Sequence, residues 1–172
     1  MKNLILLFAI ILIGFNGYGQ KFSVGMNFGA PVSEAHDFYS FTWGIDANYW
    51  FISDTFSVGV ATGFALFLAN DLNLTRNFDL TLKNASFVPI ALAGRYDISH
   101  KFIIGADVGY AIGVGNDGGF YYRPLVGYNL KDFLQLTLSY RGISLDELSV
   151  SAVTVGINFS FPTRKDHKSK NE

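Results

Sequence analysis

The stretch Phe102-Ile-Ile-Gly-Ala-Asp-Val-Gly-Tyr-Ala-Ile-Gly-Val114 alternates bulky apolar residues with glycine, alanine and one aspartate. A period of two places successive side chains on opposite faces of a β-strand. One face of this segment is therefore bulky and apolar, and the other is small and carries Asp107. A soluble sheet would fill its water-exposed face with polar side chains rather than with glycine. The stretch predicts a strand whose bulky face does not meet water.

The same alternation recurs from Lys21 onward and predicts eight strands. They cover residues 22–30, 41–51, 56–68, 88–96, 102–114, 120–129, 134–141 and 153–161. Several match the roughly 9 to 11 residues that a tilted strand needs to cross a bilayer. Short connections at 53–55, 97–100 and 131–132 alternate with mostly longer loops at 31–39, 69–85, 116–119 and 142–148. This layout predicts an all-β, eight-stranded antiparallel up-and-down transmembrane β-barrel over residues 20–161.

Side-chain size indicates which face of the strands meets lipid. The interior of an eight-stranded barrel is narrow and suits small residues, so the bulky face is expected to point outward. Its aromatic residues cluster at strand ends, as at two membrane interfaces. The expected aromatic girdle consists of Phe41, Trp43, Tyr122 and Tyr140 at one interface and Phe51, Phe56, Tyr96, Phe102 and Tyr128 at the other. The alternative fold is a soluble, lipocalin-like barrel that encloses the aromatic set around a ligand.

Charged residues also fall on the small-residue face, where a charge needs a partner or water. The set is Asp46, Arg95, Asp107, Arg123 and Arg141. Asp107 and Arg123 lie at similar heights in the hairpin of strands five and six, so we expect them to pair directly or through one neighbour. Asp46 and Arg141 are expected to complete this polar network of the lumen. The network is interpreted as structural, as part of a lumen that is filled by side chains, with a narrow ion path or gate as the alternative.

The composition argues against several classes of function. With 13 basic and 14 acidic residues the chain has no basic excess for nucleic acid, and without cysteine it has no thiolate or disulfide chemistry. Short catalytic and phosphate-binding motifs are not present. Residues 33–37 bring serine, histidine and carboxylates together, but such a group is more often a solvated loop. We therefore expect no enzyme, no cofactor and no metal site.

Both ends of the chain differ from the barrel segment. Residues 1–19 combine a basic start, the apolar run 4–15 and small residues at 17 and 19, which is typical of a cleaved secretory signal peptide with Gln20 as the mature start. A membrane anchor would need about 20 apolar residues. Residues 162–172 form a basic segment that is expected to be a disordered periplasmic tail.

Two stretches make the chain resemble the small porin-like outer-membrane β-barrel family of Gram-negative envelopes. Residues 87–92, Phe-Val-Pro-Ile-Ala-Leu, look like the family's aliphatic-proline-aliphatic strand. Residues 154–161 look like its C-terminal β-signal, which is carried here by Thr154, Gly156, Phe159 and Phe161. One departure is that the chain continues beyond Phe161.

The resemblance implies an outer-membrane location, contact with outer-membrane lipid, and recognition by the barrel-assembly machinery during biogenesis. We expect a monomeric barrel with a structural or surface-interaction role in the envelope. A narrow ion or small-solute channel is the alternative function, and a lipid-modifying enzyme is a further one.

Overall fold

The computed structural model describes residues 21–33, 35–52, 55–69, 84–115, 117–145 and 149–162. All eight predicted strands are present, with one short helix. They are β1 (Lys21–Val32), α1 (Ala35–Phe38), β2 (Tyr39–Ile52), β3 (Phe56–Ala69), β4 (Ala85–Asp97), β5 (Phe102–Gly113), β6 (Gly119–Lys131), β7 (Leu134–Ser144) and β8 (Ser149–Pro162). In the described part of the chain, no helix is long and apolar enough to cross a membrane. The predicted signal peptide and the tail beyond residue 162 lie outside the described residues.

The strands form a closed antiparallel barrel in chain order, and β8 pairs with β1. The closing ladder runs the full length of β1, from Lys21 opposite Pro162 to Val32 opposite Ser151. Closure leaves no strand edge unpaired, which is the condition for a sheet to exist in a hydrocarbon environment. The predicted eight-stranded up-and-down barrel is confirmed.

The connections define two ends of the barrel. The turn end carries the turns at 98–101 and 132–133, together with Lys21 and Pro162. The loop end carries α1 and the connections β3–β4, β5–β6 and β7–β8. Most of the predicted long loop at 69–85, residues 70–83, lies outside the described residues.

Two loops at the loop end are shorter than predicted. Instead of a loop at 142–148, the ladder of β7 and β8 continues until Ser144 lies opposite Ser149. The extra ladder buries Ile143 and Val150 inside the barrel, and this burial favours pairing over a solvated loop. The alternation of apolar and polar residues is weak in this part of β8, because positions 149 and 151 are both serine.

The predicted loop at 31–39 is also shorter, because β1 extends to Val32 and α1 follows. Ala35 of α1 is fully buried against the barrel. Burial of this alanine places the helix against the loop end of the barrel.

The outer surface is bulky and apolar, with exposed fractions that reach 69% at Leu92. Many inner positions in the middle of the strands are glycine or alanine, and the strands approach one another closely there. At Gly109, for example, an added Cβ would lie 2.1 Å from the Ile90 carbonyl oxygen. The soluble lipocalin-like alternative required the reverse arrangement and is wrong, because the aromatic set faces outward and the charges face the lumen.

Candidate functional site

The five inward charges form one continuous network at mid-height in the lumen. Arg123 donates from Nε and Nη2 to Asp107 Oδ2, at 2.8 and 2.6 Å, and its Nη1 lies 2.6 Å from Asp46 Oδ2. Arg95 Nη1 donates to Asp107 Oδ1 at 2.6 Å. Arg141 Nη2 donates to Asp46 Oδ1 at 3.2 Å. Each carboxylate is therefore shared by two arginines, and Arg123 joins the two halves.

Strand register brings the members of the network together. Asp107 on β5 lies directly opposite Arg123 on β6. Arg95 on β4 lies opposite Gly105, where an added Cβ would meet the Arg95 Cδ at 2.4 Å. The missing side chain at Gly105 thus leaves the room through which Arg95 reaches the carboxylate.

The network is almost fully withdrawn from solvent, since its side chains are between 0% and 9% exposed. Asn27 Nδ2 adds a further hydrogen bond to Asp46 Oδ2 at 2.8 Å. Removing one partner of such a buried pair leaves a charge without compensation, which typically costs about 3 to 5 kcal/mol. The arrangement therefore ties β2, β4, β5, β6 and β7 together across the lumen.

A polar cavity of about 470 Å³ lies between the network and the turn end. We call this cavity the vestibule; its lining includes Ser23, Asn48, Trp50, Asn129, Gln135 and Asn158. Residues of the turns, such as Asp132, line its outer part, and Asp46 and Arg123 line its inner part. Water that enters from the turn end can therefore reach the side of the network that faces the turn end.

An apolar plug fills the other half of the lumen, between the network and the loop end. It consists of Phe67, Phe87, Tyr121, Ile143 and Val150, all at most 2% exposed. The rings of Phe67 and Phe87 pack edge to face with their centroids 6.0 Å apart. The lumen is thus polar and hollow on one side of the network and apolar and packed on the other.

The sequence prediction of a filled lumen missed the apolar plug. Phe67 continues the inward series of Ala61, Gly63 and Ala65, and Phe87 precedes the inward Pro89 by two positions. Extending each small-residue face to the end of its strand would have found both rings. The small residues in the middle of the strands are therefore not typical of the whole lumen.

The residues of the predicted aromatic girdle lie on the outer surface at both ends of the barrel. Phe41, Phe56, Tyr96 and Phe102 are exposed, whereas Trp43, Phe51, Tyr122, Tyr128 and Tyr140 are half-buried by outer-surface neighbours. Cross-strand pairs account for much of this burial, since the ring centroids of Phe102 and Tyr128 are 5.0 Å apart and those of Tyr122 and Tyr140 are 6.0 Å apart.

The four residues compared with a β-signal lie on the closing strand, β8. Thr154 faces the lumen, with its Oγ1 2.7 Å from Ser139 Oγ. Gly156 is also buried, while Phe159 and Phe161 point outward. Phe161 stacks on Phe22 of β1, with the ring centroids 6.5 Å apart. The two outward rings thus lie next to the seam that closes the barrel.

The polar group at 33–37 lies in the connection that contains α1. His36 Nδ1 is 3.8 Å from Asp37 Oδ1, and both side chains are more than three-quarters exposed. A base and its orienting acid usually lie within about 3.2 Å of each other. Residue 34 lies outside the described residues. The described residues contain no cluster of three potential histidine or carboxylate metal ligands.

Solved structures with the same architecture are small membrane barrels. The crystal structure of Ail, the attachment invasion locus protein of Yersinia pestis, is 16% identical, with a TM-score of 0.51 and coverage of 83% of this chain and 97% of Ail. The N-terminal β-barrel domain of Pseudomonas aeruginosa OprF is 15% identical, with a TM-score of 0.51 and coverage of 81% and 97%.

The backbone structure of the outer membrane protein Ail in a phospholipid bilayer nanodisc gives a TM-score of 0.57 at 12% identity, with coverage of 82% of this chain and 99% of that one. The fold is that of a small outer-membrane β-barrel. At these identities the likeness concerns the fold alone. No family description matches the sequence, and no curated protein matches it.

Proposed function

We propose that this protein is an integral outer-membrane β-barrel with a closed lumen and a structural or surface-interaction role in the envelope. The single observation that carries the proposal is the distribution of polarity. A continuous bulky apolar surface surrounds the barrel, and the five charged side chains of the polar network are paired inside it. Such a molecule is stable where its outer surface meets hydrocarbon and is poorly suited to water.

The orientation follows from the two ends. Short turns face the periplasm and longer connections face outward in barrels of this kind. The turn end is therefore periplasmic, and the loop end, with α1, is extracellular. The proposed partners are outer-membrane lipid and, during biogenesis, the assembly machinery, which would read Thr154, Gly156, Phe159 and Phe161. We propose a monomer, exported with a cleaved signal peptide.

The apolar plug favours a closed lumen over the channel alternative. A dry apolar constriction is a barrier to ions because an ion loses its hydration there without compensation. The charged network lies on the periplasmic side of this barrier. Surface interaction would then depend on the extracellular connections, while the apolar plug supports the barrel as a packed core.

Planar-bilayer recordings of the purified protein test this function. We expect no unitary conductance from the unchanged protein. The substitution Phe87→Ala removes a ring of the apolar plug and is expected to admit water and small ions. Phe120→Ala, which removes an exposed ring from the outer surface, is the matched control and should remain closed. Steady conductance from the unchanged protein would instead support the channel, and recovery of the expressed protein in the soluble fraction would refute the membrane barrel.

A further inference from the structure

The polar network carries more positive than negative charge. Its three arginines are held by only two carboxylates, so one buried positive charge is in excess. Arginine stays protonated in proteins and cannot relieve the excess by losing a proton. An uncompensated charge in a low-dielectric interior is costly, so a counter-charge is expected close to it.

The two ends of the network differ in how well they are satisfied. Arg95 donates to Asp107 and also to the carbonyl oxygens of Gly94 and Ala106, at 2.8 and 3.3 Å. Its guanidinium lies 5.1 Å from the ring centroid of Trp50. Because Arg95 also lines the vestibule, water can solvate it. This end of the network needs no further partner.

Arg141, at the opposite end, has fewer partners. Its side chain is 1% exposed and, among the described residues, makes one hydrogen bond, at 3.2 Å, to the carboxylate of Asp46, which Arg123 also holds at 2.6 Å. Its Nε and Nη1 have no hydrogen-bond partner among the described residues. The excess charge and the unused donors thus coincide at one guanidinium.

The surroundings of Arg141 increase the need for a counter-charge. The next inward residue of β7 is Ile143 of the apolar plug, and Ala152 lies opposite Arg141 on β8. Water from the vestibule can come near on the other side, because Asn27 and Ser139 both line it. At Gly44 an added Cβ would lie 3.1 Å from both Arg141 Nη1 and Asn27 Oδ1, so both atoms border the position that the missing side chain leaves open.

We propose that the lumen binds one small monovalent anion of halide size at Arg141, and that the anion enters from the turn end through the vestibule. The amide of Asn27 is oriented by its bond to Asp46, so its Oδ1 is an acceptor that suits a bridging water beside Nη1. The Nε–H of Arg141 then remains to donate a hydrogen bond to the anion. A multivalent anion would overcompensate the single excess charge in an apolar setting.

Equilibrium urea unfolding in zwitterionic lipid vesicles tests the proposal, with bromide replacing gluconate at constant ionic strength. An anion that binds only the folded state lowers the unfolding equilibrium constant by a factor of one plus c/Kd, where c is the anion concentration. When the anion concentration is ten times its Kd, this decrease is about tenfold. We expect this saturable effect in the unchanged protein. It should be lost in Arg141→Gln, which removes the excess charge, and kept in Lys101→Gln, which removes a positive charge from an exposed turn.

A second measurement does not depend on the variant folding. Anomalous scattering from crystals grown in bromide is expected to show one bromide in hydrogen-bond contact with the Arg141 guanidinium. An unfolding constant that does not respond to bromide, or a response that Arg141→Gln retains, would overturn the proposal. An ordered water alone at Arg141 in bromide-grown crystals would also overturn it.

Discussion

Replacing Asp107 by asparagine is the most informative perturbation of the polar network. Asp107 is fully buried and accepts hydrogen bonds from Arg95 at 2.6 Å and from Arg123 at 2.6 and 2.8 Å. Asp107→Asn leaves Asp46 as the one carboxylate for three arginines. We expect a loss of about 3 kcal/mol, the lower part of the range for breaking a buried ion pair, because the vestibule brings water to Arg95 and Arg123.

Arg123→Gln is the matched change on the other side of the pair, and its expected cost is smaller. It leaves Arg95 with Asp107 and Arg141 with Asp46, so the remaining charges balance. The lost hydrogen bonds should then cost about 1 to 3 kcal/mol. The double variant should lose less than the sum of the two single variants, with a coupling energy on the order of 1 to 3 kcal/mol.

Equilibrium urea unfolding in lipid vesicles measures all four proteins of this cycle. The predicted order of stability is unchanged protein, then Arg123→Gln, then Asp107→Asn. Additive single effects, within about 0.5 kcal/mol, would refute the pairing. An Arg123→Gln variant that is less stable than Asp107→Asn would refute the charge-balance reasoning, even if the pair is coupled.

Three further predictions concern the outer surface, the close strand approach and the export signal. Val108→Arg, on the outer surface, should lower the free energy of unfolding by about 2 to 4 kcal/mol or prevent insertion. Ile98→Arg, in an exposed turn, should lower it by about 0 to 1 kcal/mol. Equal effects of the two substitutions in a vesicle-folding assay would contradict the lipid-facing assignment. Gly109→Ala places a Cβ 2.1 Å from a carbonyl oxygen and should lower the free energy of unfolding by about 1 to 3 kcal/mol. Gly94→Ala meets no described atom within 4 Å and should leave stability nearly unchanged. If Gly109→Ala is also neutral in urea unfolding, the steric argument is wrong. N-terminal sequencing of exported protein should give a start near Gln20, and retention of residues 4–15 would exclude cleavage.

Period-two alternation predicts all eight strands and their two faces, though not the full length of β7 and β8, because it depends only on neighbours along the chain. The stretch 102–114 predicted β5 to within one residue at its C-terminal end. The pairing of Asp107 with Arg123 can also be predicted from the sequence, since a short hairpin connection places the two residues opposite each other. Side-chain size then separated the lipid face from the lumen.

The rest depended on contacts between residues distant in sequence. Asp46 and Arg141 are 95 positions apart, and whether they meet depends on how the strands are staggered around the closed barrel. The apolar plug combines residues from β3, β4, β6, β7 and β8, and no single strand shows that their side chains fill one half of the lumen. The extension of β7 and β8 was missed because the burial of Ile143 and Val150 inside the barrel outweighs weak local alternation.

Site-directed spin labelling along β7 tests the central claim, which is that bulky residues face lipid and that the turn-end half of the lumen is polar. The chain contains no cysteine, so single cysteines can be introduced one at a time at Leu136 and Leu138, on the outer surface, and at Gln135 and Thr137, in the vestibule. In vesicles, we predict that labels at the two leucine positions are relaxed by lipid-soluble oxygen and those at 135 and 137 by a water-soluble nickel complex. Accessibility with the opposite alternation, or oxygen contact at none of the four positions, would contradict the account.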